Sequence, residues 1–142
     1  MKTIALLFGL FLITITSNAQ AETEAKTFTI TITIDNVLND DGTVMAGLHT
    51  SETFMRGMGL QNKITTIEDG KVTIVFKDIV AGEYAILAMH DENNNKQMDR
   101  EANGMPKESY CISGSSTPYG PPSFAEAKFM VEDKDLKFAL RF

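Results

Sequence analysis

Cysteine is nearly absent from this sequence, and its scarcity limits how the chain can be stabilised. The 142 residues include one cysteine, two histidines and no tryptophan. Cys111 has no partner for an internal disulfide bond. His49 and His90 belong to no His-x-x-x-His pattern, so no common type of zinc site is indicated, and only a weaker zinc alternative at His90 and Asp91 is left open. We expect packing, alone or with a bound ion, to stabilise the fold.

Basic residues are also in short supply. The chain has 13 Lys and Arg residues against 19 Asp and Glu residues, for a net charge of −6, and the basic residues form no cluster. Proteins that bind nucleic acids need a positively charged surface facing the phosphates. We therefore expect no nucleic-acid partner.

Long apolar runs are missing beyond the first residues. The opening stretch, MKTIALLFGLFLITITSNAQA, has one lysine, an apolar part over residues 4–15, and then Ser17 and Ala19 at a signal-peptidase spacing. This pattern predicts a signal peptide over residues 1–19. The apolar part is shorter than the roughly 20 residues of a membrane-spanning helix. We expect a secreted or periplasmic protein with no transmembrane span in the mature chain, residues 20–142.

What the mature chain does contain is alternation of apolar and polar residues. The stretch TFTITITI, residues 27–34, places isoleucines on one face and threonines on the other, as a half-buried strand does. Other short strands are predicted at 43–50, 63–67, 72–79, 127–133 and 136–142. Turn signals separate them, and no long amphipathic helix is indicated. The pattern predicts a single all-β domain, an immunoglobulin-like or transthyretin-like β-sandwich of about seven strands.

Two segments depart from this alternation. Residues 84–89 are apolar on both faces, which predicts a central strand or a strand with one face in a pocket. Residues 92–124 contain all four prolines and no periodicity. A loop of this length is uncommon without a function or an internal anchor such as an ion.

The sequence HDENNNKQMDRE, residues 90–101, carries oxygen donors at alternate positions. A calcium loop uses side chains at positions 1, 3, 5 and 9 and a main-chain carbonyl at position 7. The usual glycine at position 6 is Lys96, and the usual glutamate at position 12 is Ala102, so Glu101 or Glu92 would have to substitute. A solvated, asparagine-rich turn is the alternative. The candidate calcium ligands are Asp91, Asn93, Asn95, Gln97, Asp99 and Glu101.

The remaining reactive side chains indicate no catalytic site. Cys111 lacks an oriented base in the sequence, which favours a buried or idle thiol. The methionines near the irregular segments favour gap-filling in the core over an adaptable binding surface. The candidates for a ligand pocket are His90, Glu108, Tyr119 and Phe124.

The patterns Gly-x-Tyr-Ala, His-Asp-x-Asn-x-Asn, Gly-x-Pro-x-Glu and Pro-Pro-x-Phe follow one another over residues 82–124. With these motifs the chain resembles a bacterial family of exported proteins catalogued as a domain of unknown function, number twenty-one forty-one, and the resemblance covers nearly all of the mature chain. The family's usual glycine after the second asparagine is Lys96 here. The resemblance implies export and a sandwich fold, and it brings no established activity. The residues that carry it are Gly82, Tyr84, Ala85, His90, Asp91, Asn93, Asn95, Asp99, Gly104, Pro106, Glu108, Pro121, Pro122 and Phe124.

Three functions are compatible with these observations. The first is an exported, non-catalytic binding or accessory module for an unknown small molecule or envelope protein, with calcium bracing residues 91–101. The second is a small periplasmic hydrolase that uses His90, Asp91 and Glu108 as acid–base groups. The third is a structural envelope protein that pairs through a sheet edge.

Overall fold

The computed structural model describes residues 25–114 and 120–142. The predicted signal peptide and Tyr119 lie outside these ranges. Within them the chain is all-β, as predicted, with eight strands and one short helix, α1 (Phe124–Ala127). The strands are β1 (Thr27–Ile34), β2 (Thr43–His49), β3 (Gln61–Thr65), β4 (Val72–Val80), β5 (Gly82–Asp91), β6 (Tyr110–Ile112), β7 (Phe129–Val131) and β8 (Leu136–Leu140).

The strands form two sheets in a sandwich-like arrangement. The smaller sheet has the order β4–β1–β8, in which β1 pairs antiparallel with β4 and parallel with β8. The larger sheet has the order β3–β2–β5–β6, and β7 pairs with the first residues of β5. This arrangement confirms the predicted sandwich architecture.

The core lies between the two sheets and follows the alternation of the sequence. Ile30 and Ile32 of β1 and Phe76 of β4 have no solvent exposure, and they share one cluster with Leu48 and Ile86 of the larger sheet. Complete burial of such a side chain contributes about 1.5–3 kcal/mol relative to leaving it exposed. Burial on one face of each strand is therefore what joins the sheets.

Two short connections determine how the strands follow one another. Between β3 and β4, Asp69 (φ 52°) and Gly70 (φ 69°) are the central residues of a tight turn. Both have positive φ, as a type I′ turn requires, and Glu68 and Lys71 exchange two backbone hydrogen bonds of 3.0 Å. Between β4 and β5 only Ala81 intervenes, so the chain passes from one sheet to the other at a single residue.

Strand β5 is central in its sheet and covered on both faces. Its alternate residues Tyr84, Ile86 and Ala88 belong to the core between the sheets. On the outer face, Ala85 belongs to a second cluster that includes Phe54. This confirms the central position predicted for residues 84–89.

The segment 92–124 is less irregular than predicted. Its residues 110–112 form β6, which pairs antiparallel with residues 87–89 of β5. Three residues flanked by serine and glycine show too little alternation to signal a strand. The pairing is established by contact with β5 and not by local preference.

Candidate functional site

The polar loop, residues 92–108, follows β5 and is organised by Asp91, the last residue of that strand. This residue has no solvent exposure. Its Oδ1 accepts a hydrogen bond from the backbone N–H of Asn95 at 3.0 Å, and its Oδ2 accepts one from that of Lys96 at 2.8 Å. A buried carboxylate is stable only with such donors. Asp91 therefore curls the following five residues around its side chain.

The two asparagines next in the alternation extend this curl. Asn93 Oδ1 accepts the N–H of Asn95 at 3.0 Å, and Asn95 Oδ1 accepts the N–H of Gln97 at 2.8 Å. These are successive Asx turns, which asparagine forms readily. Lys96 has φ 62°, a left-handed conformation that costs a non-glycine residue about 1 kcal/mol. The family's usual glycine would avoid this cost.

Asp99 is the point on which the asparagines converge. Asn93 Nδ2 donates to Asp99 Oδ2 at 2.7 Å, and Asn95 Nδ2 donates to Asp99 Oδ1 at 3.0 Å. The structure therefore brings three of the predicted calcium ligands into direct contact. The exposed Glu101 lies in the next turn, where its backbone N–H donates to the carbonyl of Met105 at 2.8 Å.

Glu108 connects the two ends of the asparagine-rich turn through its carboxylate. Its side chain is largely buried; Oε1 accepts the N–H of Glu92 at 3.2 Å and Oε2 accepts the N–H of Asp99 at 3.1 Å. Glu108 is one of the residues predicted to line a ligand pocket, whereas its carboxylate accepts backbone N–H groups of the loop. The Gly-x-Pro-x-Glu pattern was the available signal, but it does not say what the glutamate contacts.

The donor set limits which cation the loop suits. Within residues 25–114 and 120–142, no group of three or more His, Cys, Asp or Glu side chains is arranged to hold a metal ion. A calcium ion would therefore need amide oxygens from Asn93 and Asn95 beside the Asp99 carboxylate. In the present arrangement the amide nitrogens face Asp99. Calcium binding would require both side chains to turn their oxygens inward.

His90 lies on the other face of β5 from Asp91. Consecutive strand residues project to opposite faces, and the buried His90 ring stacks on Phe142 with centroids 6.2 Å apart. Its Nε2 lies 2.7 Å from the carbonyl oxygen of Asp41 and donates to it. Nδ1 has no hydrogen-bond partner and lies 3.8 Å from Glu92 Oε1. His90 and Asp91 therefore share no cleft.

A pocket of about 590 Å³ opens on the outer face of the larger sheet. Leu87 and Met89 of β5 line it together with Tyr110 of β6. Residues of the loop between β5 and β6 form another part of the lining: Met98, Arg100, Met105 and Pro106. The remaining lining includes Met55, Pro121 and Pro122. Pockets for small molecules have this size and this predominance of apolar groups.

None of the described pocket candidates lines this pocket. His90 faces the sandwich interior, and Glu108 bonds the loop backbone. Phe124 packs beside the second cluster, with its ring centroid 5.9 Å from that of Phe54. Tyr119 lies outside the described residues. The sequence signal for the residues that do line the pocket was the outward apolar face of segment 84–89.

Two further titratable groups are buried outside the pocket lining. Burial raises the pKa of the Cys111 thiol to about 12, which leaves almost no thiolate at neutral pH. Burial also lowers the pKa of His49, against the opposing effect of the backbone hydrogen bond with Thr53. The structure thus agrees with an idle thiol at Cys111.

The sequence model of a bacterial family described as uncharacterized, DUF2141, matches residues 32–139. The chain belongs to the DUF2141 family. The matched range runs from β1 to β8 and includes the polar loop and the pocket, and it confirms the resemblance seen in the sequence. No curated protein and no solved structure matches the chain. In the part of this DUF2141 protein that the structure describes, no helix is long and apolar enough to cross a membrane.

Proposed function

We propose that this DUF2141 protein is an exported, non-catalytic binding module whose ligand occupies the pocket on the outer face of the larger sheet. The observation that carries the proposal is the apolar floor of that pocket. The outward face of a sandwich strand is ordinarily polar, yet Leu87 and Met89 point outward from β5 beneath a space of about 590 Å³. Apolar surface kept open in this way is typical of a binding site.

The arrangement of polar groups favours binding over hydrolysis. A general acid or base must lie within hydrogen-bond reach of its substrate in a cleft. His90 is stacked on Phe142 inside the sandwich, and the Asp91 and Glu108 carboxylates accept backbone N–H groups of the loop. These interactions occupy the groups that the hydrolase hypothesis needs.

A neutral, apolar fluorescent probe such as N-phenyl-1-naphthylamine tests the pocket. Its emission should rise saturably on titration with the protein. Met105 is exposed on the pocket wall, so Met105→Asp should fold normally and weaken probe binding about fivefold or more, because a carboxylate in an apolar lining is costly. Met130→Asp is the matched control, since Met130 is similarly exposed on β7 and does not line the pocket. Equal binding by both variants would refute the pocket.

We further propose that calcium braces the loop that supplies the pocket wall. The convergence of Asn93 and Asn95 on Asp99 supports this proposal, with both amides turning their oxygens toward the ion when it binds. Met98, beside Asp99 in the chain, links the loop to the pocket wall. The low ligand charge suggests a Kd of about 10⁻⁴ to 10⁻³ M. The buried Glu108 contacts the backbone of Asp99. The proposed ligands are the six named from the sequence: Asp91, Asn93, Asn95, Gln97, Asp99 and Glu101.

Thermal melting tests the calcium proposal. Calcium at ten times its Kd stabilises the native state by about 1.4 kcal/mol, which corresponds to about 5 °C for a domain of this size. Asp99→Asn should abolish the gain, and the exposed Asp133→Asn should retain it. A melting curve that does not respond to calcium would remove the ion from the proposal.

Export is proposed from residues 1–19, which lie outside the described part of the chain. Mass spectrometry of protein recovered from the periplasm or medium should show Gln20 as the first residue. Recovery of the full-length chain from the cytoplasm alone would contradict export.

A further inference from the structure

The pocket has an electrostatic character that the rest of the chain does not share. The chain carries a net charge of −6, yet within residues 25–114 and 120–142 the lining contains one arginine, Arg100, and no aspartate or glutamate. Residues 115–119, SSTPY, add no charged side chain to the sequence. Arg100 is itself exposed, at the edge of the apolar lining. Near a protein surface of low dielectric constant, a positive group attracts one negative charge more strongly than it would in bulk water.

We propose that the pocket binds an amphipathic monoanion. Its apolar body lies on the floor formed by Leu87 and Met89, and its carboxylate or comparable anionic group binds Arg100. This inference rests on the proposed function of the pocket. It adds the chemical class of the ligand and the residue that selects it.

The local structure holds Arg100 in place at the pocket wall. Residues 100 and 106 pair as a β-bridge, and the backbone N–H of Glu101 donates to the carbonyl of Met105 at 2.8 Å. The guanidinium of Arg100 donates to the carbonyl of Gly104 at 2.9 Å. A guanidinium has about five N–H donors, so this bond fixes the group and leaves donors for a carboxylate.

The neighbouring carboxylates do not neutralise Arg100. Asp99 precedes it, but the Asp99 oxygens accept from Asn93 and Asn95. Glu101 follows it and does not line the pocket. Among the described residues, no carboxylate forms an ion pair with Arg100, and the pair between Lys128 and Glu83 does not involve it. Arg100 is therefore available to pair with an anionic group of the ligand.

Decanoate and decanol form the matched pair of probes, because they share an alkyl chain and differ in charge. Each is titrated against the protein with its bound fluorescent probe, and displacement is measured for the wild type, Arg100→Gln and Arg141→Gln. Arg141 is an exposed arginine that does not line this pocket. Circular dichroism confirms that each variant is folded.

Arg100→Gln should weaken decanoate binding about tenfold, the effect of one charge-assisted hydrogen-bonded contact, and leave decanol binding unchanged. Arg100→Lys should be intermediate, since lysine keeps the charge and loses the bidentate geometry. Arg141→Gln should bind both compounds as the wild type does.

The outcomes separate the two proposals. If decanol binds the wild type and decanoate binds Arg100→Gln as tightly as the wild type, the pocket stands and the anion inference is overturned. If neither compound nor the fluorescent probe binds the wild type, the proposed binding function fails, and the inference fails with it.

Discussion

The carboxylate of Asp91 accepts the backbone N–H of Lys96 at 2.8 Å, from a position with no solvent exposure. The last residue of β5 thereby determines the path of the chain five residues later. Because the same carboxylate also accepts the N–H of Asn95, its removal affects two backbone donors at once.

Asp91→Ala should destabilise the protein by about 2–4 kcal/mol, because the N–H groups of Asn95 and Lys96 lose their acceptor. Urea unfolding measures the change. Asp91→Asn keeps one oxygen acceptor and should cost less. The control is Asp133→Ala, an exposed position where a change within about 0.5 kcal/mol is expected. A similarly small effect at Asp91 would contradict the role assigned to its carboxylate.

Alanine substitutions at Gly42 and Gly104 separate two destabilising effects, the cost of a left-handed backbone and the cost of steric overlap. Both glycines have positive φ, 70° and 85°, and substitution of either by alanine should cost about 1 kcal/mol for the left-handed conformation. A Cβ at Gly42 would also overlap the carbonyl oxygen of Asp91 and approach Glu92 Cα to 2.7 Å, whereas Gly104 has nothing within 4 Å.

Gly42→Ala should therefore be less stable than Gly104→Ala by a further 1–3 kcal/mol or so, the usual cost of overpacking. Urea unfolding of both variants measures the difference. Equal losses would show that the turn at Gly42 moves away from β5 without cost.

His49 should make stability depend on pH. Burial lowers its pKa from the ordinary 6.5, so the unfolded chain binds a proton at a pH where the folded protein does not. Stability should rise with pH in this range and fall as the pH drops below about 6.5.

The unfolding free energy measured from pH 7.5 to pH 5.5 tests this effect. His49→Asn removes the titrating group and retains an N–H donor for the Thr53 carbonyl, which His49 Nδ1 contacts at 3.1 Å. The variant should lose part of the decrease seen at low pH. An identical pH dependence in both proteins would assign the decrease to other groups.

Cys111 should be unreactive in the folded protein. A rise of its pKa from 9.0 to about 12 lowers the thiolate fraction about a thousandfold at neutral pH. Labelling with iodoacetamide should therefore be at least about a thousand times slower in buffer than in concentrated urea, and Cys111→Ala should show no labelling in either. Comparable rates in the two conditions would show that the thiol is accessible and activated.

The strands with regular alternation were predictable because every second residue of a strand lies on the same face. Segment 27–34 is the clearest case, and its isoleucines are those that fill the core. Alternation does not say which strands are neighbours. The parallel pairing of β1 with β8 joins residues about a hundred positions apart, and no local pattern encodes that choice.

The polar loop was predictable in its residue types and only partly in its contacts. Alternate Asp and Asn residues indicated a curled loop, and Asn93, Asn95 and Asp99 do meet. The role of Glu108 depends on a return of the chain after 16 residues. Arg100 belongs to no motif in the sequence, and its place in the pocket follows from the fold. Such contacts depend on tertiary structure that spacing alone does not specify.

The single-residue passage at Ala81 has a consequence for protein engineering. The strand beneath the pocket continues directly from a strand of the opposite sheet, and the Tyr84 hydroxyl donates to the Val80 carbonyl at 3.1 Å across the junction. Exchange of the outer loops between relatives would transfer only the rim of the binding site. A chimera that inherits the specificity of its donor should take residues 72–122 as one block together with Met55, so that the floor and the walls of the pocket are transferred together.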